Sequence, residues 1–210
     1  MIALLCRDLR HAYGAGAVLP VLFFLLVATL FPFAVGSDHL LLGRIGGGVL
    51  WTAALLAALL PIERLIAPDL ASGMLDQLGV RGWSMEAVSA IRLLSHWLGF
   101  GPLLMAAALP AAALLDLDGA ALLRVEAGLL LGTPGLAALA LTTACLTVSL
   151  RGAGALAGIV MLPLSVPLLI FGASSGAGAL KLLSATSLLY VAAAPFVAAA
   201  ALRAVREGQA

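Results

Sequence analysis

Charge is scarce in this chain. Of its 210 residues, 11 are Lys or Arg and 10 are Asp or Glu, a charged fraction of 10%, where soluble domains carry about a quarter. The formal net charge of +1 leaves no basic field to hold a nucleic acid and no acidic one to attract a basic partner. Cysteine is nearly absent. Cys6 and Cys145 lie far apart, with no CxxC, no Cys/His cluster and no disulfide framework. The motifs GxxxxGK[ST], HExxH and GxSxG are missing, so the chain cannot hold ATP in the manner of a P-loop or act as a zincin or an α/β-hydrolase. Ser174-Ser175-Gly176 is a loop signal, and neither His39 nor His96 has a partner at helical spacing that would make it the base of an intramembrane serine protease. Asp116-x-Asp118-Gly119 begins like a calcium loop but lacks the later ligands and the closing Glu, so it reads as a turn. Either histidine, alone at a membrane interface, reads as a hydrogen-bonded residue before it reads as a haem ligand.

What remains is apolar. The hydrophobic fraction is 63% and the mean hydropathy +1.18. A soluble fold of this size cannot hide so much apolar surface, and a disordered chain has the opposite composition. A helix needs roughly 20 mostly apolar residues to cross a bilayer. Six stretches qualify, at about 15–35, 45–62, 93–115, 122–150, 153–172 and 182–202. None alternates apolar with polar residues as a membrane barrel does. The expectation is an all-α membrane protein, one transmembrane domain over 1–210 with six transmembrane helices. The first run is too long for a cleaved signal peptide and is expected to stay. With the N-terminus inside, one side carries Arg7, Arg10, Arg64, Arg81, Arg92, Arg151, Arg203 and Arg206, against Arg44, Arg124 and Lys181 on the other. That excess puts both termini in the cytoplasm.

Two segments lie outside the spans. Residues 1–14 hold an interfacial elbow helix, with Ile2, Leu5, Cys6, Leu9, Ala12 and Tyr13 on one face and Arg7, Asp8, Arg10 and His11 on the other. Gly14 and Gly16 then allow a turn into the first span. Residues 63–92 form a cytoplasmic loop of about 30 residues where the other connections are short, and long loops are often functional. Pro68 can start a helix there and Gly79 can end it. Between them Leu70, Ala71, Met74, Leu75 and Leu78 gather on one face, and Asp69, Ser72 and Asp76 on the other. Gly73 permits close approach. This helix either rests on the membrane or inserts its apolar ridge into a groove on a partner. Ser84 is a candidate N-cap for the helix leading into the third span. Ionisable residues inside spans are costly and usually functional, and here Glu63, Arg92, Arg124, Glu126 and Arg151 all fall near predicted ends. Nothing resembles a proton relay or a sodium site. Prolines inside spans and the small residues of 43–48 and 192–201 suit a bundle that packs closely and moves.

The chain as a whole resembles the CcmB family of bacterial cytochrome c maturation. The likeness runs from Cys6-Arg7-Asp8-Leu9-Arg10 through Leu30-Phe31-Pro32-Phe33-Ala34-Val35-Gly36, Leu50-Trp51-Thr52-Ala53 and Glu63-Arg64-Leu65. It continues through Asp69-Leu70-Ala71-Ser72-Gly73-Met74-Leu75-Asp76-Gln77-Leu78, Ser95-His96-Trp97-Leu98 and Leu131-Gly132-Thr133-Pro134, and then Leu162-Pro163 to Gly172 and Ala194-Pro195-Phe196. It departs from the family at Ala71-Ser72, where Glu-Asp is frequent, and at the turn 79–82.

The resemblance implies an ABC-2-type permease-like bundle in the bacterial inner membrane, with no catalytic, cofactor-binding or metal site of its own. It implies a partner ATPase, CcmA, that holds and hydrolyses the ATP, together with the haem-handling CcmC, the small CcmD and two copies of this chain. Haem, or release of a haem-loaded periplasmic chaperone, would be the linked cargo. By the same likeness Asp69, Leu70, Gly73, Met74, Leu75, Asp76 and Leu78 would form the coupling helix, the apolar side chains seated in the ATPase and the two acids meeting basic residues at its rim. Phe31, Pro32, Phe33 and Gly36 are candidate pathway or periplasmic-side residues. An ABC-2-type exporter of a lipid or another amphiphile, or a scaffold that only recruits the ATPase and haem-handling subunits, would use the same features.

Overall fold

A computed structural model describes residues 2–11, 17–36, 38–150 and 152–207. The expected turn at Gly14 and Gly16, the face residues Ala12 and Tyr13, and Arg151 lie outside the described residues. The described chain is helical from end to end: α1 Ile2–His11, α2 Ala17–Val35, α3 His39–Leu59, α4 Ile62–Ala71, α5 Met74–Val80, α6 Met85–Leu114, α7 Gly119–Thr147, α8 Ala153–Ala173 and α9 Ala179–Glu207. Six helical spans are long and apolar enough to cross a membrane, and each overlaps one of the six runs read from sequence, although the second, His39–Ala71, runs on through α4 and the third begins at Met85. The chain is an all-α membrane bundle.

Its centre is α7, which packs against α3, α4, α6, α8 and α9. Of the most apolar window of α7, 72% is buried, against 17% for α2 and 22% for α8 and α9. The outer helices turn large apolar side chains away from the protein, among them Leu22, Phe33, Ile159, Leu188 and Phe196. In water such a surface would drive aggregation. In a bilayer it is solvated by lipid, so close packing has to hold the helices together.

Trp51 shows how that packing is made. It is fully buried in α3, and it lies in a cradle of glycines: Gly128 and Gly132 of α7 and Gly172 of α8. A Cβ built on Gly128 would sit 3.2 Å from the indole Nε1, and Cβ atoms on Gly132 and Gly172 would overlap the ring. The absent side chains make the hole that the indole fills. Gly43 and Gly46 work in the same way, the first against the Asp116 carbonyl and the second against Leu115 and Leu117, while Gly48 meets open space.

At the bundle end away from α1, the polar residues serve the helix termini. Asp38 accepts from Leu41 N at 3.0 Å and caps α3, and Asp118 accepts from Ala121 N at 2.7 Å and caps α7. His39 pairs with Asp116. The Asp116–Gly119 segment is therefore a capped turn, as read from sequence. Gly36, left-handed at φ 85°, closes α2 by donating to the Pro32 carbonyl at 3.0 Å.

Candidate functional site

The segment 63–92 is not a loop around one helix. After Leu60-Pro61 breaks α3, α4 runs from Ile62 with Glu63 in its first turn, where a carboxylate favours the helix dipole. Ile62 and Ile66, four apart, are buried, and Pro68 lies inside α4 instead of starting a helix. The predicted continuous helix is interrupted at Ser72-Gly73, where Gly73 takes φ +67°, a backbone geometry that glycine adopts at no steric cost. A short second helix, α5, follows. Gly82, at φ +77°, turns the chain toward α6, and Ser84 Oγ accepts from Ala87 N at 3.2 Å, the expected N-cap.

The break decides which way the apolar ridge faces. Leu75 is 1% exposed and Leu78 7%. Leu70 and Met74 pack on the same core. Within this chain the ridge meets the chain's own bundle, so the side chains expected at a partner's groove lie on its inner side. The face left in solvent is Ala71, Ser72, Asp76, Gln77 and Val80, with Val80 89% exposed.

The two acids of this segment also find partners within the chain. Asp69, its side chain 14% exposed, is shared between two arginines. Arg7 Nη2 of α1 approaches it at 3.4 Å, and Arg92 Nη2 of α6 pairs with its other oxygen. Asp8 is buried, although the elbow helix was expected to turn it to the polar side, and Cys6, expected on the buried face, is exposed. Asp8 pairs with Arg7 at 2.8 Å and with Arg92 Nε at 3.3 Å. Arg7 also contacts the Met74 sulfur. Two arginines and two aspartates thus neutralise one another where α1, α4, α5 and α6 meet. Removing one member of a buried pair strands the other, a cost of about 3–5 kcal/mol.

Asp76, with its side chain 63% exposed, pairs with Arg206 of α9 at 2.6 Å. Arg203, one turn earlier, pairs with Glu86 of α6. The short helix α5 is therefore clasped by α9, and its neighbour α4 is tied to α1 and α6.

Beside the four-charge cluster a cavity of about 390 Å³ opens between α2, α4 and α6. His96 and Arg92 line it from α6. His96 is buried and stacked on Phe100, with ring centroids 5.3 Å apart and planes 10° from parallel.

The sequence of CcmB proteins matches this chain over residues 1–205. The chain belongs to the CcmB family. Its relatives include the heme exporter protein B of Rhodobacter capsulatus, 46% identical with 97% of this chain and 98% of that protein covered. That of Paracoccus denitrificans is also 46% identical over the same shares, and that of Escherichia coli K12 is 39% identical over 93% and 94%.

In this CcmB chain the predicted coupling residues Asp69, Leu70, Gly73, Met74, Leu75, Asp76 and Leu78 gather in one place, most of them facing inward. The other predicted group does not join them. Phe31, Pro32, Phe33 and Gly36 sit at the far end of α2, where Phe31 packs on the core and Phe33 is 83% exposed on the outside of the bundle. Sequence reading placed Asp8, Arg92 and Arg206 on the cytoplasmic side but did not join them to the site. Arg92 carried a usable signal: it is the eighth residue of a helix with an 18-residue apolar window, and a cation so placed calls for a counter-ion.

Proposed function

We propose that this chain is the membrane subunit of an ABC-type haem exporter complex in cytochrome c biogenesis. It sits in the inner membrane with both termini in the cytoplasm, in two copies, alongside an ATPase subunit, CcmA, and the haem-handling subunits CcmC and CcmD. ATP is hydrolysed in CcmA, and the linked outcome is haem export or release of a haem-loaded chaperone. The near full-length likeness to proteins named heme exporter protein B supports the cargo class. Among the described residues seven arginines, Arg7, Arg10, Arg64, Arg81, Arg92, Arg203 and Arg206, fall at the end of the bundle with α1, against Arg44, Arg124 and Lys181 at the other. This imbalance supports the orientation.

The observation that carries the coupling role is the α4–α5 pair. It continues the second span beyond the break at Leu60-Pro61 and ends in α5, it shows solvent a small face, and it ties into α1, α6 and α9 through charge pairs. A push on Gln77 and Val80 is passed to spans instead of being absorbed by a loose loop. The docking contact is assigned to Ala71, Ser72, Asp76, Gln77 and Val80. Leu70, Met74, Leu75 and Leu78 anchor that contact from beneath, with Gly73 as the bend. Val80→Asp tests this, because an exposed side chain can change charge without disturbing the core. Expected are a thermal midpoint within about 2 °C of the wild type, loss of the ATPase from the purified complex, and cytochrome c maturation lowered at least about tenfold, a loss of about 1.4 kcal/mol in docking. Full maturation with the ATPase retained overturns the assignment.

A further inference from the structure

We propose that the cavity between α2, α4 and α6 is a binding site for an anionic amphiphile, a molecule with an apolar body and a carboxylate or phosphate head. Its volume of about 390 Å³ lies within the range of pockets that enclose small ligands, and such pockets are mostly apolar with a few placed polar groups.

The charge balance sets the sign of the ligand. Three arginines line the cavity, Arg7, Arg64 and Arg92, and two acids, Asp8 and Asp69. Both acids are already held by Arg7 and Arg92. Arg64 is exposed and, among the described residues, has no ion pair. One guanidinium is left over, in the planar fork geometry that suits a carboxylate or a phosphate. A cationic ligand would meet this excess, and a neutral one would leave it unused.

The remaining lining gives the ligand its shape. Leu19 of α2, 48% exposed, stands at the side facing lipid, and Leu65 and Phe100 continue the apolar wall inward. Further in, the His96 Nε2 atom is buried with no hydrogen-bond partner among the described residues. A buried polar atom left unpaired costs about 1–3 kcal/mol, and this one faces a cavity that could supply a partner. His96 lies eleven residues into α6 from Met85, about 16 Å along the helix. A ligand whose head rests on Arg64 and whose body lies along Leu65 and Phe100 would reach it. Entry past Leu19 is from the side, out of the bilayer leaflet at the end with α1.

The inference goes beyond the function proposed above and leans on it only for the choice of one probe. The full chain is placed in phosphatidylcholine nanodiscs, and binding is measured above that of protein-free discs with two pairs of probes. Protoporphyrin, with two propionates, is compared with octaethylporphyrin, which has none. Lysophosphatidylglycerol is compared with the monoacylglycerol of the same chain. Expected is binding of at least one charged probe about tenfold tighter than its neutral twin, with that preference lost in Arg64→Gln. The charged probe is also expected to weaken about fivefold in Leu19→Trp, which fills the mouth from an exposed position. Preference in the porphyrin pair alone assigns the site to a tetrapyrrole cargo, and in the lysolipid pair alone to a membrane lipid. No preference in either pair, or wild-type affinity retained in both variants, overturns the site. Neither of those results touches the Val80→Asp test of ATPase docking, so the two readings fail separately.

Discussion

Replacing Asp8 by Leu puts the four-charge cluster to a quantitative test. In the folded chain Arg7, Asp8, Asp69 and Arg92 balance two against two, with Asp8 and Arg92 side chains 6% and 12% exposed. Asp8→Leu leaves two guanidiniums on one carboxylate in a poorly hydrated place. The cost of stranding a buried charge is about 3–5 kcal/mol, and Asp69 still partners both arginines, so the lower figure, about 3 kcal/mol, applies. Arg92→Leu strands the two acids on Arg7 at a similar cost. The double variant Asp8→Leu/Arg92→Leu restores the balance with Arg7 facing Asp69 alone, and replacing a whole buried pair by apolar groups is near neutral. Its expected loss is under about 1 kcal/mol, where two independent contributions would sum to about 6 kcal/mol. The chain carries its own reporter. Cys145 is fully buried in α7, so in a Cys6→Ser background maleimide reaches a thiol only when the bundle opens. At about 1.4 kcal/mol per tenfold, each single variant should raise the labelling rate of Cys145 about 100-fold, and the double variant less than about tenfold. A double variant that labels as fast as the product of the two singles would refute the cluster as a coupled unit.

Further outcomes follow from other contacts. Gly132→Ala drives a methyl into the Trp51 ring and should cost about 1–3 kcal/mol as overpacking; Trp51→Phe in the same chain should return part of it, read by the same thiol labelling. Arg206→Ala opens the clasp on Asp76, a largely exposed pair worth under about 1 kcal/mol, so global stability should hardly move while amide exchange in Met74–Val80 speeds up several-fold. Ser84→Ala removes the N-cap of α6 and should cost about 1 kcal/mol without altering ATPase co-purification.

How much of this could be read from sequence depends on what each feature requires. The spans were legible because crossing a bilayer imposes a length and a composition that nothing else in the chain imitates. Ser84 stands at a helix start, where a short oxygen-bearing side chain has a local role that can be read locally; the caps made by Asp38 and Asp118 are of the same kind but went unread. Trp51 was visible as a residue, but its cradle was not. Gly128, Gly132 and Gly172 come from two other helices, and only the assembled bundle shows that their missing side chains leave room for the indole. The break at Gly73 belongs between these cases. Glycine at that position was noticed for close approach, yet its left-handed φ, which splits the helix in two, depends on where α4 must end to pack.

The direction of the apolar ridge is the more instructive case. Periodicity identified the face that holds Leu70, Met74, Leu75 and Leu78, and those four do share an environment. A moment gives a face and says nothing of what lies opposite it. Two sinks competed for this one, a groove on another protein and the end of the chain's own bundle. The second is tethered a few residues away through Pro61 and Gly82, so reaching it costs no association entropy, whereas a separate partner must recover several kcal/mol of lost translational and rotational freedom. The same proximity drew Asp8 and Asp69 inward. An apolar helix that must carry Arg92 needs carboxylates within reach, and the elbow helix and α4 supply them from either side. A short helix between two spans will therefore tend to spend its greasy face and its acids on its own bundle first, and in the docking proposed above a partner would read what is left, the exposed Ser72, Gln77 and Val80, with the buried contacts beneath to carry its push.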